Sequence, residues 1–362
     1  MSNVISFPQP SALQDPAGSV SLLIDAVANR RHAPDDVFWL KENAELLGVL
    51  AATGQILNPE TLAVYADFYA QIEEKLRFFP QYYRFFLSIC LDLEDLGMGA
   101  NKGAALCRWV AQAGLPEAEL SDLQRAEAQY LLSRRGAVLP LGQSALDTRL
   151  RAFTERAETF ALPNKKAAYE LTHIVFYLSG YGRYDPQLSD AALNSLEFAG
   201  VLAYLDQNID LLAEICTALT FAGKTPSAVW TDAVARVHHA ITLTGQADAA
   251  RAVDGYHLFL VSGWAQLVRG TKVFDQNVPE NYMLHFAMPQ VLAGALRPLS
   301  TCLFDLGKQR SADWGGMRGR VIAQMPQHSR EVLQAAEQST DKFDAFFEGF
   351  ARAGMTRGVQ SG

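Results

Sequence analysis

Residues 165–183 read KKAAYELTHIVFYLSGYGR, and the apolar or small positions Ala167, Ala168, Leu171, Ile174, Val175, Phe176 and Leu178 run round most of a helical circumference. A helix that is greasy on nearly every side belongs in an interior. Inside this run Glu170, His173 and Tyr177 recur at i, i+3, i+7, so the spacing places them on one helical face. Two later stretches repeat the pattern. Residues 208–221, NIDLLAEICTALTF, are apolar apart from Asp210 and Glu214 in the body of the run, and residues 249–268, AARAVDGYHLFLVSGWAQLV, carry Asp254 and His257 at i, i+3. Glu170 and Glu214 are 44 positions apart, as are Asp210 and Asp254, the period of a helical hairpin.

The rest of the chain reads as further helices. Asp35 or Asp36 caps one that stops near Gly54, and Asn58 with Pro59 opens another that reaches Phe78. Helices are expected at 82–96, 101–113, 116–134, 144–160, 186–204 and 227–243. A further one at 279–306 is broken at Pro289 and Pro298, and a final one spans 329–353. The segment 312–320, ADWGGMRGR, reads as a Gly-rich loop, and no segment shows strand alternation. In the second half buried helices alternate with amphipathic ones such as Val229, Ala233, Val237 and Ile241, as two layers would require. The expectation is an all-α fold of about twelve helices in hairpins, closing into an (α/α) toroid-like barrel or else left as an open α-solenoid without a TPR- or HEAT-like repeat. Residues 1–17, rich in Pro, Ser and Gln, are expected to be a disordered tail, and residues 18–362 one domain.

Composition narrows the function. The chain has 362 residues, 49% of them hydrophobic, enough for a sizeable core, and its net charge of −8 offers no basic face for nucleic acid. Cys90, Cys107, Cys216 and Cys302 are far apart in apolar contexts, which fits reduced thiols and a cytoplasmic protein. The N-terminus lacks the basic and apolar regions of a signal peptide, and no apolar run is long enough for a membrane span.

The candidate chemistry lies on the three buried helices. A buried carboxylate or imidazole without a partner costs about 3–5 kcal/mol, so Glu170, His173, Asp210, Glu214, Asp254 and His257 are expected to find each other, with Tyr177, Tyr256 and Trp264 as walls. Imidazole with carboxylate suits a divalent metal (Zn, Fe or Mn), with His173, Asp210, Glu214 and His257 as ligands. Without a metal, the same groups form a general acid and base. Structural readings stand beside these. Asp210 lies where helix starts favour acids, Glu170 and His173 form a core pair, and Asp254 pairs with Arg251 at the surface. His238 and His239 are rim residues, Asp92, Glu94 and Asp95 end a helix in solvent, and Glu127 is a weak candidate for a further ligand. Terpene-cyclase, lanthionine-cyclase, Walker and dinucleotide motifs are absent.

Two classes of function follow. One is a barrel-like enzyme, a hydrolase, lyase or oxidoreductase, acting on a small molecule or peptide at a buried His and carboxylate centre. The other is a helical-repeat scaffold for a protein partner, with the polar residues as interhelical glue. Phe343, Phe346, Phe347 and Phe350 offer self-association as a homo-oligomer under either reading.

Overall fold

The computed structural model describes residues 18–137, 143–246, 254–290 and 293–353. The tail expected at residues 1–17 lies outside them. In chain order the elements are α1 (Ser19–Asn29), α2 (Val37–Ala52), α3 (Pro59–Leu62), α4 (Ala66–Phe78), α5 (Tyr83–Asp95) and α6 (Gly103–Gln112). Next come α7 (Asp122–Ser133), α8 (Gln143–Thr154), α9 (Ala157–Phe160), α10 (Lys165–Leu178), α11 (Asp190–Asp206), α12 (Ile209–Phe221) and α13 (Ala228–Ala240). The remainder are β1 (Thr242–Gln246), α14 (Tyr256–Leu267), β2 (Met283–Ala287), α15 (Leu296–Asp305), α16 (Trp314–Gln324), α17 (Gln327–Gln338) and α18 (Phe343–Ala351). The all-α class is therefore as expected.

Helix starts follow local chemistry. The Asp36 carboxylate accepts from the Phe38 amide at 2.9 Å, Asn58 from Glu60 at 3.2 Å and Asn164 from Ala167 at 3.1 Å. Each such cap contributes about 1 kcal/mol by satisfying an amide that the helix leaves bare.

The packing order positions the site. Helix α2 packs on α5, α5 on α7, α7 on α10, α10 on α12, α12 on α14, and α14 on α2. α12 is buried on all sides, from Leu212 and Ala213 through Ile215 to Leu219, because α10, α11, α13 and α14 all contact it. Helices α15, α17 and α18 lie against α11, and α17 also meets α13.

Several elements differ from expectation. A two-stranded antiparallel ribbon pairs Thr242 with Ala287 and Gln246 with Met283. Leu284 and Phe286 point inward on β2 while its other residues are half-buried, so the period-two pattern exists but spans too few residues to stand out. The helix expected at 279–306 is thus strand β2 followed by the short α15. The loop expected at 312–320 is helix: the Asp313 carboxylate accepts from the Gly316 amide at 3.2 Å and opens α16, which carries all three glycines of the stretch. The helix expected at 329–353 is two helices, α17 and α18, separated at residues 339–342. Phe346, Phe347 and Phe350 of α18 are fully buried, with Trp314 4.8 Å from Phe347 and Phe198 6.0 Å from Phe346 between ring centroids. These phenylalanines fill the chain's own core.

Candidate functional site

A cavity of about 370 Å³ lies among α2, α5, α7, α10, α12 and α14, and each of these helices supplies lining side chains. Its polar floor is built round Glu214, which is 2% exposed. The Thr172 hydroxyl donates to Glu214 Oε2 at 2.6 Å. His173 Nδ1 lies 3.6 Å from that same oxygen, and His257 Nε2 lies 3.8 Å from Oε1. On its other side His257 Nδ1 faces Glu45 Oε1 at 3.6 Å. Side chains from α10, α12, α14 and α2 therefore meet at one place.

The protonation pattern follows from these contacts. His173 Nδ1 is 2.8 Å from the Tyr169 carbonyl, to which it can only donate, so its Nε2 is left as the basic nitrogen. Burial opposes charge on His257, but Glu45 and Glu214 outweigh it and hold the imidazolium to a higher pH than an ordinary histidine. Burial pushes the Glu214 carboxyl above its ordinary value against the pull of His173, Thr172 and His257. Tyr177 and Tyr181 are pushed well above theirs by burial, so both hydroxyls stay protonated.

Glu127 and Arg84 form an ion pair on the cavity wall, and Arg84 also meets Glu119 at 3.0 Å. Asp92, 3% exposed, accepts from Arg134 at 2.7 Å, and Arg134 reaches Asp95 at 2.8 Å. Glu94 meets Arg135 at 3.0 Å. The three acids at the end of α5 are thus a paired, largely buried network and not a helix end in solvent. The apolar wall is aromatic: Trp264 lies 4.8 Å from Phe176 and 5.7 Å from Tyr181, and Tyr181 lies 4.9 Å from Tyr130.

Tyr181 reaches this wall through an unusual turn. Gly180, Tyr181 and Gly182 have φ of 54°, 57° and 82°, three successive left-handed residues at the end of α10. Only glycine adopts this region freely, so the flanking glycines let the chain turn while Tyr181 carries strain of about 1 kcal/mol.

Of the residues singled out in the sequence, His173, Tyr177, Glu214 and His257 line the cavity, and so do Trp264, Glu127 and Asp92. Asp210 does not; it accepts a 2.6 Å hydrogen bond from the Tyr169 hydroxyl in the first turn of α12. Glu170 is half-buried outside the lining, and the partner of His173 is Glu214. Asp254 precedes α14 and pairs with Arg31 at 2.8 Å, where Arg31 also holds Glu42 at 2.5 Å; Arg251 lies outside the described residues. Tyr256 hydrogen-bonds the Glu42 carbonyl and stacks under Arg31, away from the cavity. His238 is 2% exposed and hydrogen-bonded to Ser262 at 3.0 Å, so it is a core residue and not a rim one, whereas His239 is exposed. Among the described residues no group of three or more His, Cys, Asp or Glu is disposed to hold a metal ion. Glu45, Arg84 and Tyr130 are lining residues that the sequence pattern does not single out. Arg84 carries the same signal as the residues on α10, a charged side chain within a mostly apolar run, whereas Glu45 and Tyr130 lie in runs as polar as those of an exposed helix.

The fold and this cavity define an all-α protein with a charged, aromatic-walled centre between its helices. A family model described as a domain of unknown function, DUF6902, matches residues 1–353, and the chain belongs to that family. No curated protein and no solved structure matches the chain.

Proposed function

We propose that the protein is an enzyme that moves protons on a small molecule held in the central cavity, with His173, Glu214 and His257 as its acid–base centre. The observation that carries this reading is Glu214, a carboxylate 2% exposed, set between two imidazoles from different helices at the edge of an open cavity. Leucine at this position would be more stable, since a buried ionisable group costs several kcal/mol unless fully paired. In this reading His173 Nε2 is the base, His257 carries a proton supplied through Glu45, and Glu214 sets the charge between them. The volume, at the small end of ligand sites, admits a small molecule or one side chain of a peptide.

The cycle of contacts that ends with α14 against α2 supports a toroid over an open solenoid, whose first and last repeats do not meet. Four free, buried thiols fit a cytoplasmic setting, and no described helix is long and apolar enough to cross a membrane.

The test does not require the substrate to be identified in advance. Wild type, His173→Ala, His257→Ala and Glu214→Gln are each incubated with a small-molecule cell extract and followed by untargeted mass spectrometry. Compounds consumed by wild type and spared by all three variants support the proposal. No compound that separates wild type from the variants would leave a helical scaffold as the better reading. Elemental analysis of protein purified without added metal tests the metal-bound form, which would require His173, Glu214 and His257 to turn onto one ion.

A further inference from the structure

We propose that the cavity selects an organic cation, a small molecule with an amine or quaternary ammonium group, and that this group lies against the Glu45 and Glu214 carboxylates. The inference rests on the cavity being the ligand site and adds its substrate class.

The argument begins with the positive side chains. Among the described lining residues, Lys41, Arg84, Arg134 and Arg183 are the lysine and arginines. Each already faces a carboxylate: Lys41 meets Glu45 at 3.8 Å, Arg84 meets Glu127 and Glu119, Arg134 meets Asp92 and Asp95, and Arg183 meets Asp95 at 3.2 Å. An anionic ligand would have to compete with one of these carboxylates, and at Arg134 it would meet a guanidinium already held by Asp92 and Asp95, with its buried Nε alone left without a hydrogen-bond partner among the described residues. The carboxylates are not used up in the same way. Among the described residues none donates a hydrogen bond to Glu214 Oε1, and its charged neighbour is His257 at 3.8 Å. Glu45 Oε2 is likewise buried without a hydrogen-bond partner among them, and so is His257 Nδ1, which faces Glu45 Oε1 at 3.6 Å.

The walls favour the same sign of charge. Phe176, Tyr181 and Trp264 form a contiguous aromatic surface, with Tyr130 and Tyr177 adjoining it at Tyr181. Aromatic faces attract cations, best when water is excluded, and tryptophan does so most strongly. A carboxylate floor under an aromatic wall is the arrangement that holds a desolvated ammonium. It also couples binding to protons: the two acids that hold His257 charged are those the incoming cation approaches, so the bound cation loosens the imidazolium's hold on its proton, as the proton donor of the proposed acid–base centre requires.

The experiment is calorimetric titration with 2-phenylethylamine and with 3-phenylpropionate, matched in ring and reach but opposite in charge. The amine should bind at least about tenfold more tightly, and more tightly at pH 8 than at pH 6.5 as the competing proton leaves. Glu45→Gln, a change of near-equal shape at a partly exposed side chain, and Trp264→Leu, each with its fold checked by circular dichroism, should each weaken the amine by roughly fivefold. Absence of amine binding, equal or tighter binding of the carboxylate, or indifference to both substitutions would overturn the proposal. Because no turnover is involved, amine selectivity without consumption of any extract compound would remove the catalytic reading and keep the cation site. Turnover without selectivity would do the reverse.

Discussion

His173 and His257, on different helices, face opposite oxygens of one carboxylate: the first lies 3.6 Å from Glu214 Oε2 and the second 3.8 Å from Oε1. Because burial raises the Glu214 carboxyl above its ordinary value, ionising it is harder in the folded chain than in the unfolded one. Such a group contributes stability below its unfolded value, near pH 4.3, and that contribution is lost as pH rises through the folded value. Glu214→Gln keeps an acceptor for the Thr172 hydroxyl and removes the titration. The variant should be more stable than wild type at pH 7 and indistinguishable from it near pH 4, as read from denaturant midpoints. A variant less stable at pH 7 would contradict the assigned direction.

His257 titrates high because Glu45 and Glu214 overcome its burial. Its stabilising contribution is complete below the unfolded value of about 6.5 and disappears as pH rises through the folded value. Following the imidazole resonances by NMR should give His257 a midpoint above 6.5, and Glu45→Gln should lower it. If the midpoint is unchanged in Glu45→Gln, the 3.6 Å approach of the two side chains has no electrostatic consequence.

Arg134 and Asp92 test the cost of the charged wall. Their side chains are 3% and 4% exposed, and Asp95 adds a second contact to Arg134. Removing one partner strands the other charge, so Arg134→Met should lose about 3–5 kcal/mol of stability. The double variant Arg134→Met with Asp92→Asn should recover part of that loss, because the stranded carboxylate goes with it. Strict additivity of the two single losses in chemical unfolding would argue against direct coupling.

These groups are not equally legible in the sequence. On α10, α12 and α14 the polar residues interrupt runs that are apolar on every side, and such runs are buried wherever the chain folds. His173, Glu214 and His257 stand out for that reason, and the structure brings them together. Helical spacing fixes which residues share a face but not which way that face turns. Spacing alone therefore pairs Glu170 with His173, whereas the neighbouring helix supplies Glu214. Glu45 sits in a run with Lys41 and Glu42, a pattern that resembles a wet helical face, although Glu42 is 7% exposed and held by Arg31. Long-range pairing is the hardest to see: β1 and β2 are 5 residues each, and each alone satisfies half of a pattern that only the ribbon completes.

Gly182 bears on the left-handed turn that presents Tyr181. Its φ is 82°, and a β-carbon there would stand 2.5 Å from the Phe221 ring, which in turn lies 5.7 Å from Trp264. Gly182→Ala combines backbone strain with a clash inside the aromatic cluster, and should cost about 2–4 kcal/mol. Because Phe221 must move, the near-ultraviolet circular dichroism should also change. A loss below about 1 kcal/mol would mean that the turn adapts freely and that Tyr181 is not held in place by it.

His238 supplies the acid limit of stability. Burial, aided by the charge of His239, brings its imidazole down to about 4, and Ser262 hydrogen-bonds it within the core beside Phe259. A base whose folded value lies below its unfolded value of about 6.5 contributes stability at neutral pH that is lost as pH falls from 6.5 toward 4. The fall from about 6.5 to about 4 corresponds to roughly 3–4 kcal/mol. His238→Gln retains a hydrogen-bonding amide at the site and cannot titrate, so its unfolding free energy should fall less steeply between pH 6.5 and 4. The two pH profiles should separate in that interval and run parallel above it, and parallel profiles throughout would show that His238 is protonated without opening the core.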